Sequence, residues 1–188
     1  MPPPKVLIQL SGPPGAGKST LALSLVEPLN AISLDHDIIR SSLLSSLPFG
    51  TAAQASYALQ WHLAESFLQQ GRSVIVDSAC NFPSLIEAGQ DLAARHGVTY
   101  CFVHCATQSI EVLEARMKRR ERLSSQRAGV EQGPDGTENA GDGRESFRRW
   151  IEEPCLPSEG LVVVLDAEAS VEEKRDVVVE RVLGCSAG

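Results

Sequence analysis

The sequence lacks the features of a disulfide-stabilised or membrane-spanning protein. Its five cysteines are an odd, scattered set with no CxxC pair, which is a poor disulfide framework. No apolar stretch approaches the roughly 20 residues that a membrane helix needs. The amino-terminal MPPPKVLIQL has neither the basic region nor the long apolar core of a signal peptide. We therefore expect a soluble, cytoplasmic protein in a reducing compartment, with Cys101 and Cys105 as buried free thiols.

Positive charge is also scarce overall. The net charge is −7 and the isoelectric point is about 5.1, which opposes a protein whose whole surface binds nucleic acid. Basic residues are concentrated between Arg116 and Trp150, where an anionic ligand could be clamped. The length of 188 residues suits a single domain spanning residues 1–188.

Strands and helices are predicted to alternate along the chain. Apolar, β-branched runs predict strands at Lys5–Leu10, Ala31–Leu34, Ser73–Val76, Val98–His104 and Leu161–Leu165. Helical patterns lie at Lys18–Glu27, Ile38–Leu47, Ala52–Gln70, Ser84–His96, Ile110–Leu123, Glu145–Glu152 and Val171–Leu183. This alternation predicts an α/β fold with a parallel sheet and right-handed crossovers.

A glycine-rich loop carries the strongest functional signal. The segment GPPGAGKS fits the pattern GxxxxGK[ST] and lies between the first strand and the first helix. Such a loop directs N–H groups at phosphates near the positive end of a helix. We expect Lys18 to contact the β- and γ-phosphates and Ser19 to bind Mg²⁺, with ATP as the nucleotide. The predicted nucleotide-binding residues are Gly12, Pro13, Pro14, Gly15, Ala16, Gly17, Lys18, Ser19 and Thr20.

Acidic residues follow the second and third predicted strands. Asp37 and Arg40 are three residues apart and share one helical face. The carboxylate could accept a proton from an acceptor hydroxyl, and the arginine could hold the acceptor or the transferring phosphoryl group. Asp35 is the alternative base, and either aspartate could instead only cap the helix. Asp77, directly after the third strand, is predicted to hold Mg²⁺ together with Ser19, and the alternative is a turn or cap residue at the strand end.

A basic helix end and a polar segment follow the fourth strand. Arg116 and Arg120 are spaced i, i+4, so they either serve the nucleotide or form a solvated basic helix end. The segment Ser124–Gly143 is polar and glycine-rich, and its composition predicts that it does not order itself. We interpret it as a flexible lid insertion.

The choice of phosphoryl acceptor is expected to depend on Ser41–Gln70, which contains no lysine or arginine. Gln54, Tyr57 and Trp61 fall at helical spacing, and this stripe either lines a pocket or packs on the sheet. Asn81 is a further candidate for the acceptor pocket.

Together these motifs resemble the P-loop kinases of the zeta-toxin-like and polynucleotide-kinase-like group, over nearly the whole chain. The resemblance implies a three-layer P-loop NTPase fold with a five-stranded parallel sheet in the order 2-3-1-4-5. It also implies that Asp37 is the general base and Arg40 the acceptor clamp. Arg116 and Arg120 are then the lid arginines that serve the triphosphate. The insertion after Leu123 departs from the group's pattern.

The leading hypothesis is an ATP-dependent kinase that moves the γ-phosphoryl group to a hydroxyl of a small molecule. Its predicted catalytic residues are Lys18, Asp37, Arg40, Arg116 and Arg120. A polynucleotide 5′-hydroxyl kinase is one alternative, which the neutral Ser41–Gln70 segment opposes and the basic residues near Arg144–Arg149 favour. A non-enzymatic nucleotide-dependent regulatory module is the other.

Other P-loop classes fit the sequence badly. None of the lysines lies in an [NT]KxD motif, so a signalling or translational GTPase is not expected. The transporter ATPase signature LSGGQ is absent, and the chain is too short for an AAA+ motor module with its helical lid domain.

Overall fold

The architecture is an alternation of strands and helices, given by a computed structural model that describes residues 5–79, 81–107, 109–135, 137 and 143–184. The strands are β1 (Val6–Ser11), β2 (Ala31–Asp35), β3 (Ser73–Asp77), β4 (Thr99–Cys105) and β5 (Leu161–Leu165). The helices are α1 (Lys18–Val26), α2 (His36–Leu43), α3 (Phe49–Gln69), α4 (Pro83–His96), α5 (Ile110–Arg119), α6 (Gly143–Glu152) and α7 (Val171–Gly184).

The strands form one parallel sheet in the order β2-β3-β1-β4-β5, which confirms the predicted topology. Alternate side chains of the central strand β1 enter different apolar clusters, as period-two geometry requires. Val6, Ile8 and Leu10 belong to the larger cluster, with apolar residues of α1, α5, α6 and α7. Leu7 belongs to the second cluster, with residues of α3 and α4. Helices therefore cover both faces of the sheet, in three layers.

The carboxyl ends of the central strands meet at one edge of the sheet. Asp35, the last residue of β2, is in register with Asp77, the last residue of β3. Ser11 ends β1 in the neighbouring position, and the glycine-rich loop follows it. Ligands bind outside the carboxyl ends of strands in open parallel sheets, so the predicted site residues lie where such a fold places a ligand.

Several helix boundaries differ from the predicted ones: α2 ends at Leu43 rather than Leu47, α3 begins at Phe49 rather than Ala52, and α6 begins at Gly143 rather than Glu145. Two further differences lie next to the predicted site residues. Helix α2 begins at His36 rather than Ile38, because the Asp35 side chain caps it. Helix α5 ends at Arg119 rather than Leu123, since Arg120 adopts an extended backbone with φ −78° and ψ 148°. The four residues from Arg120 to Leu123 are ordinary helix formers, so tertiary contacts, and not local propensity, end this helix.

The cysteines agree with the predicted reduced state where the structure describes them. Cys101 and Cys105 are free and buried, and Cys155 is free and half-buried. Cys80 and Cys185 lie outside the described residues. Across the described ranges, no helix combines the length and the apolar character needed to cross a bilayer.

Candidate active site

The glycine-rich loop connects β1 to α1 and is pressed against β4. Gly12, Gly15 and Gly17 have φ values of 130°, 88° and 90°, in the region that favours glycine. A Cβ atom on Gly12 would lie 2.6 Å from the carbonyl oxygen of Cys105, the last residue of β4. The first glycine of the motif is therefore required both by its backbone angle and by this close approach.

Lys18 lies at the start of α1 and turns back into the loop. Its Nζ donates hydrogen bonds to the carbonyl oxygens of Gly12, at 2.8 Å, and Pro13, at 3.1 Å. The N-cap residue Gly17 offers no side chain, and the first turn of α1 contains no acid. An anion at this end of the helix would meet unpaired amides, the positive end of the helix dipole and the ammonium group.

Ser19 and Asp77 come together beside the loop, as the predicted metal ligands should. The Ser19 hydroxyl is hydrogen-bonded to the Asp77 carboxyl group, which is 4% exposed. Burial raises the pKa of Asp77 to about 6, although the nearby Lys18 ammonium opposes this shift. A cation at this point would offset the cost of burying the carboxylate. A hydroxyl and a carboxylate are oxygen ligands of the kind that Mg²⁺ prefers, so the residues fit this ion.

Gln60, from the middle of α3, ties together the ends of two strands. Its Nε2 donates to the carbonyl oxygen of Leu34 at 2.7 Å and to that of Asp77 at 3.4 Å. The side chain is fully buried and is also hydrogen-bonded to His36. Gln60 thus fixes the separation of β2 and β3 beneath the candidate metal ligands. Its sequence signal is a glutamine on the buried face of α3, between Ser56 and Ala64, which sequence reasoning did not select.

Asp35 and Asp37, the two candidate bases, have different surroundings. Asp35 is the N-cap of α2, and its Oδ1 accepts from the amides of Asp37 at 2.7 Å and Ile38 at 3.2 Å. Burial raises the pKa of Asp35, whereas these two amides oppose the shift. Capping therefore accounts for Asp35, while the Asp37 side chain is 31% exposed and lines the cavity described below.

Arg40 is engaged by neighbouring groups. Its Nη2 donates to Asp37 Oδ1 at 2.9 Å and to the carbonyl oxygen of Ser125 at 2.8 Å. Its guanidinium also lies 5.6 Å from the centre of the Phe49 ring, and 18% of the side chain is exposed. The predicted pairing with Asp37 is thus present. The role of acceptor clamp stays a prediction, since in this structure Arg40 holds protein groups.

His36 lies between the two aspartates and was not singled out from the sequence. Its ring lies 4.0 Å from that of Tyr57, and its Nε2 is 3.3 Å from the Ser56 hydroxyl. Burial and the positive charge of Arg40 lower the pKa of His36 to about 4. The imidazole is therefore neutral at physiological pH, and it packs the turn that carries Asp37 instead of contributing charge.

Arg116 and Arg120 both reach the site from the carboxyl end of α5. Arg116 lies in α5, and its Nη1 is 3.4 Å from the carbonyl oxygen of Gly15. Arg120 lies past the helix end, and its Nη2 donates to the carbonyl oxygen of Arg127 at 3.2 Å. Burial lowers the pKa of Arg120. The amide of Arg120, the C-cap of α5, still donates to the carbonyl oxygen of Arg116 at 3.2 Å, and both arginines line the same cavity, while their role toward the nucleotide stays a prediction.

The polar segment after α5 is packed against the domain where the structure describes it, although its composition predicts a lack of order. Ser125 and Val130 are buried, at 0% and 3% exposure, and Val130 joins the larger apolar cluster. The amide of Val130 donates to Glu114 of α5, and Ser125 contacts Asp37 and Ser41. The expectation that the segment lacks order of its own is thus wrong for these residues. Residue 136 and residues 138–142 lie outside the described part, and the lid role stays a prediction.

A cavity of about 1220 Å³ brings the predicted site residues together. It is lined by the loop from Pro14 to Thr20 and by Asp35, Asp37, Arg40, Asp77, Arg116 and Arg120. Gly12 and Pro13 of the loop are not among the lining residues, and their carbonyl oxygens accept hydrogen bonds from Lys18. Tyr57 lines the cavity together with Phe49, which sequence reasoning missed. Trp61 packs against the second apolar cluster, Gln54 is exposed, and neither these two nor Asn81 belongs to the lining.

Comparison with known proteins places the chain among P-loop proteins. A sequence model described as "AAA domain" matches residues 7–135. No curated protein sequence matches the chain. A candidate kinase from Chloroflexus aurantiacus, at 21% identity, superposes with a TM-score of 0.70 over 94% of this chain and 98% of its own.

Two further solved structures are similar over nearly the full length of both chains. The APS kinase of Mycobacterium tuberculosis, in complex with AMPPNP and APS, has 20% identity, a TM-score of 0.62 and coverage of 96% and 98%. The shikimate kinase of Acinetobacter baumannii, in complex with shikimate, has 15% identity, a TM-score of 0.61 and coverage of 97% and 95%. At these identities the likeness establishes the P-loop kinase fold.

Proposed function

This chain belongs to the AAA domain family, and from its site we propose that it is an ATP-dependent phosphotransferase that moves the γ-phosphoryl group to a hydroxyl of a small molecule. We further propose that its nearest functional kin are the zeta-toxin-like and polynucleotide-kinase-like P-loop kinases. The similarity to solved small-molecule kinases agrees with a reaction of this type.

One observation carries the proposal. The cavity lined by the phosphate-binding loop is also lined by a carboxylate, Asp37, which does not cap a helix, whereas its neighbour Asp35, in the same cavity, caps α2 through Oδ1. Nucleotide binding by the loop does not itself require this carboxylate, which is paired with Arg40. A kinase needs such a group, because the attacking hydroxyl must lose its proton.

The chain's own residues supply the remaining catalytic factors. The loop amides and Lys18 would hold the β- and γ-phosphates, while Arg116 and Arg120 would offset charge on the transferring group. Ser19 and Asp77 would hold Mg²⁺, which when bound neutralises phosphate charge. Catalysis of this kind depends mainly on positioning and electrostatics, with little covalent chemistry by the protein.

The polynucleotide alternative has weaker support. It needs basic side chains along the path of an acceptor strand. Two of the arginines that favoured it already form exposed ion pairs with acids, Arg144 with Glu111 at 3.4 Å and Arg148 with Glu145 at 3.0 Å. For the non-enzymatic alternative, we find no specific observation that favours it.

A phosphotransfer screen with γ-labelled ATP and Mg²⁺ tests the proposal. The acceptors would be sugars, nucleosides, hydroxyl-bearing antibiotics and an oligonucleotide with a free 5′-hydroxyl. We expect label to move to a small molecule. Transfer to the oligonucleotide alone would replace the proposal by the polynucleotide reading, and intact nucleotide binding with no transfer to any acceptor would reject both.

The variant Lys18→Ala provides the negative control for this screen. Charge-assisted contacts contribute about 1.5–3 kcal/mol, so transfer should fall at least about tenfold. Lys5→Ala is the matched control, since Lys5 is an exposed lysine outside the cavity lining. Its transfer rate should equal that of the wild-type protein.

A further inference from the structure

The segment after α5 brings a donor side chain to the candidate base. Gln126 Nε2 donates to Asp37 Oδ2 at 3.1 Å, across 89 positions of sequence. The other carboxylate oxygen, Oδ1, accepts from Arg40 at 2.9 Å and from the Ser125 hydroxyl at 3.3 Å. The carboxylate of Asp37 is therefore held from two sides, by α2 and by this segment.

The orientation of the Gln126 amide is fixed by a second contact. Its Oε1 accepts from the backbone amide of Leu123 at 3.3 Å. A backbone N–H can only donate, so the oxygen of the side-chain amide must face Leu123 and the nitrogen must face Asp37. The side-chain amide of Gln126 therefore donates an N–H to Asp37, and the opposite orientation of the amide is excluded.

The backbone around Gln126 is anchored independently of that side chain. The Ser125 amide donates to the Ser41 hydroxyl at 3.1 Å, and the Ser125 hydroxyl donates to the Asp37 carbonyl at 2.9 Å. On the other side, Arg127 donates to the carbonyl oxygen of Val130 at 2.6 Å. A change confined to the Gln126 side chain should therefore leave the segment docked.

We propose that Gln126 is a positioning residue of the acceptor site, which orients the Asp37 carboxylate so that Oδ2 receives the acceptor's proton. The inference rests on the proposed kinase function. Each carboxylate oxygen accepts about two hydrogen bonds. Oδ1 has Arg40 and a share of the one Ser125 hydroxyl proton, most of which goes to the Asp37 carbonyl, whereas Oδ2 has Gln126 alone, so the less occupied oxygen of the base is Oδ2.

The step that follows is balanced in atoms and charge. The acceptor oxygen forms a bond to the γ-phosphorus, and the bond from that phosphorus to the β,γ-bridging oxygen breaks, releasing ADP. The proton of the acceptor hydroxyl passes to Asp37 Oδ2 and is later lost to water. Gln126 keeps its own protons throughout and acts only by fixing the plane of the carboxylate.

The kinetic test uses side-chain variants of similar length. Gln126→Met removes the donor, and Gln126→Glu replaces it by an acceptor that repels Asp37 at neutral pH. With an acceptor found in the screen, we expect kcat to fall roughly tenfold or more in both, because a misoriented base loses productive geometry. The KM for ATP should stay within about twofold, since Gln126 does not contact the loop.

Gln132 offers matched control variants in the same segment, because its side chain is exposed. Gln132→Met and Gln132→Glu should keep the wild-type kcat. If the Gln126 variants match these controls, the positioning role is overturned while the kinase function stands. If they lose activity and ATP affinity together, the role is also overturned, because Gln126 would then support the fold of the site.

A second measurement does not depend on turnover. The side-chain NH₂ signals of Gln126 in an ¹⁵N spectrum should shift on Asp37→Asn, and those of Gln132 should not. No response at Gln126 overturns the inference whatever the enzyme does. If the Gln126 signals respond but the wild-type protein transfers phosphate to no acceptor, the proposed function is overturned. The contact between Gln126 and Asp37 then exists but has no catalytic role.

Discussion

Two aspartates at the start of α2 are separated by one residue and differ in what they contact. Asp35 is bound by the amides that follow it, and Asp37 is bound by side chains from α2 and from the segment after α5. Their spacing allowed either to be the base, because a sequence shows that a cap is needed but not which acid supplies it. The structure separates the two by their hydrogen-bond partners.

Substitution of each aspartate by asparagine tests this separation. Positioned bases contribute about 10²–10⁴-fold, so Asp37→Asn should lower kcat by a factor in that range with little change in ATP affinity. Asp35→Asn should retain most activity, because asparagine is an equally good N-cap. Parallel kinetics and ATP titrations of the two variants are the measurement. Loss of turnover in Asp35→Asn alone would reverse the assignment.

The raised pKa of Asp77 predicts a pH-dependent cost in stability. Its pKa is about 6 in the folded protein against 3.8 ordinarily, so the folded state binds more protons between these values. The contribution of Asp77 to the free energy of unfolding therefore falls as the pH rises from about 4 to 6 and does not change further above pH 6.

Thermal unfolding of the metal-free protein and of Asp77→Asn measures this cost. The variant should gain stability over the wild type across that window, approaching about 3 kcal/mol above pH 6. Ser19→Ala is the comparison, since it leaves the carboxylate in place and removes a hydrogen bond that lowers the pKa of Asp77, so its pH dependence should be at least as strong as that of the wild type. A difference between Asp77→Asn and wild type that does not change with pH would contradict the assignment.

The regular structure could be predicted almost completely, whereas its contacts with the segment after α5 could not. Strand positions follow from local apolar runs, and their order follows from the resemblance to P-loop kinases. The end of α5 was predicted four residues too late because Arg120–Leu123 carry no local break signal. The break depends on contacts such as the ion pair between Arg122 and Asp135, at 2.9 Å, which sequence spacing does not reveal.

The phosphate loop depends on the backbone of β4, and two glycines test this dependence. Gly12→Ala would bring a Cβ atom to 2.6 Å from the Cys105 carbonyl oxygen and strain a φ of 130°. Gly160→Ala, with a φ of 96° and open space around the position, carries strain alone. The backbone strain costs about 1–3 kcal/mol of stability in each variant. Only Gly12→Ala should also lose nucleotide binding, because only there does the new Cβ atom displace the phosphate loop from β4. Denaturant unfolding and ATP titration of both variants would show equal effects if the close contact were unimportant.

We predict that Ser124–Asp135 exchanges its amide hydrogens faster than α4 without ligand and slows when an ATP analogue and an acceptor bind. It is held largely by side-chain contacts with Asp37, Arg40 and Ser41, and such contacts open more easily than a helix. Hydrogen exchange with and without ligands is the measurement, with α4 (Pro83–His96) as internal reference. Equal protection in both states would reject a lid role.

The site as a unit combines parts of the chain that are far apart in sequence. The loop, the ends of β2 and β3, and the segment after α5 line one cavity of about 1220 Å³. Sequence motifs located the first two parts because P-loop chemistry fixes their spacing from strands. The third part was assigned to disorder, since Ser125 and Gln126 are common loop residues whose contacts with Asp37 span 88 and 89 positions.

Nucleotide binding should stabilise the domain, because a ligand that binds only the folded state shifts the unfolding equilibrium by mass action. At about 100-fold above the dissociation constant, ATP with Mg²⁺ contributes roughly 2.7 kcal/mol, or about 5–10 °C in Tm for a chain of this size. Lys18→Ala should lose most of this shift, while Lys5→Ala should retain it. Scanning calorimetry over a nucleotide series measures the effect, and an equal shift in both variants would argue against the loop as the binding site.

The two hydrogen bonds from the Lys18 ammonium to Gly12 and Pro13 affect the heat of ligand binding. A phosphate that draws the ammonium toward itself must replace these carbonyl contacts, so the binding enthalpy reports an exchange of partners. Removing the lysine also deprives two carbonyl oxygens of their donor in the resting protein. The affinity lost in a Lys18 variant is therefore a net quantity, smaller than the full attraction between ammonium and phosphate. The ligand-free loop of such a variant also loses two stabilising hydrogen bonds.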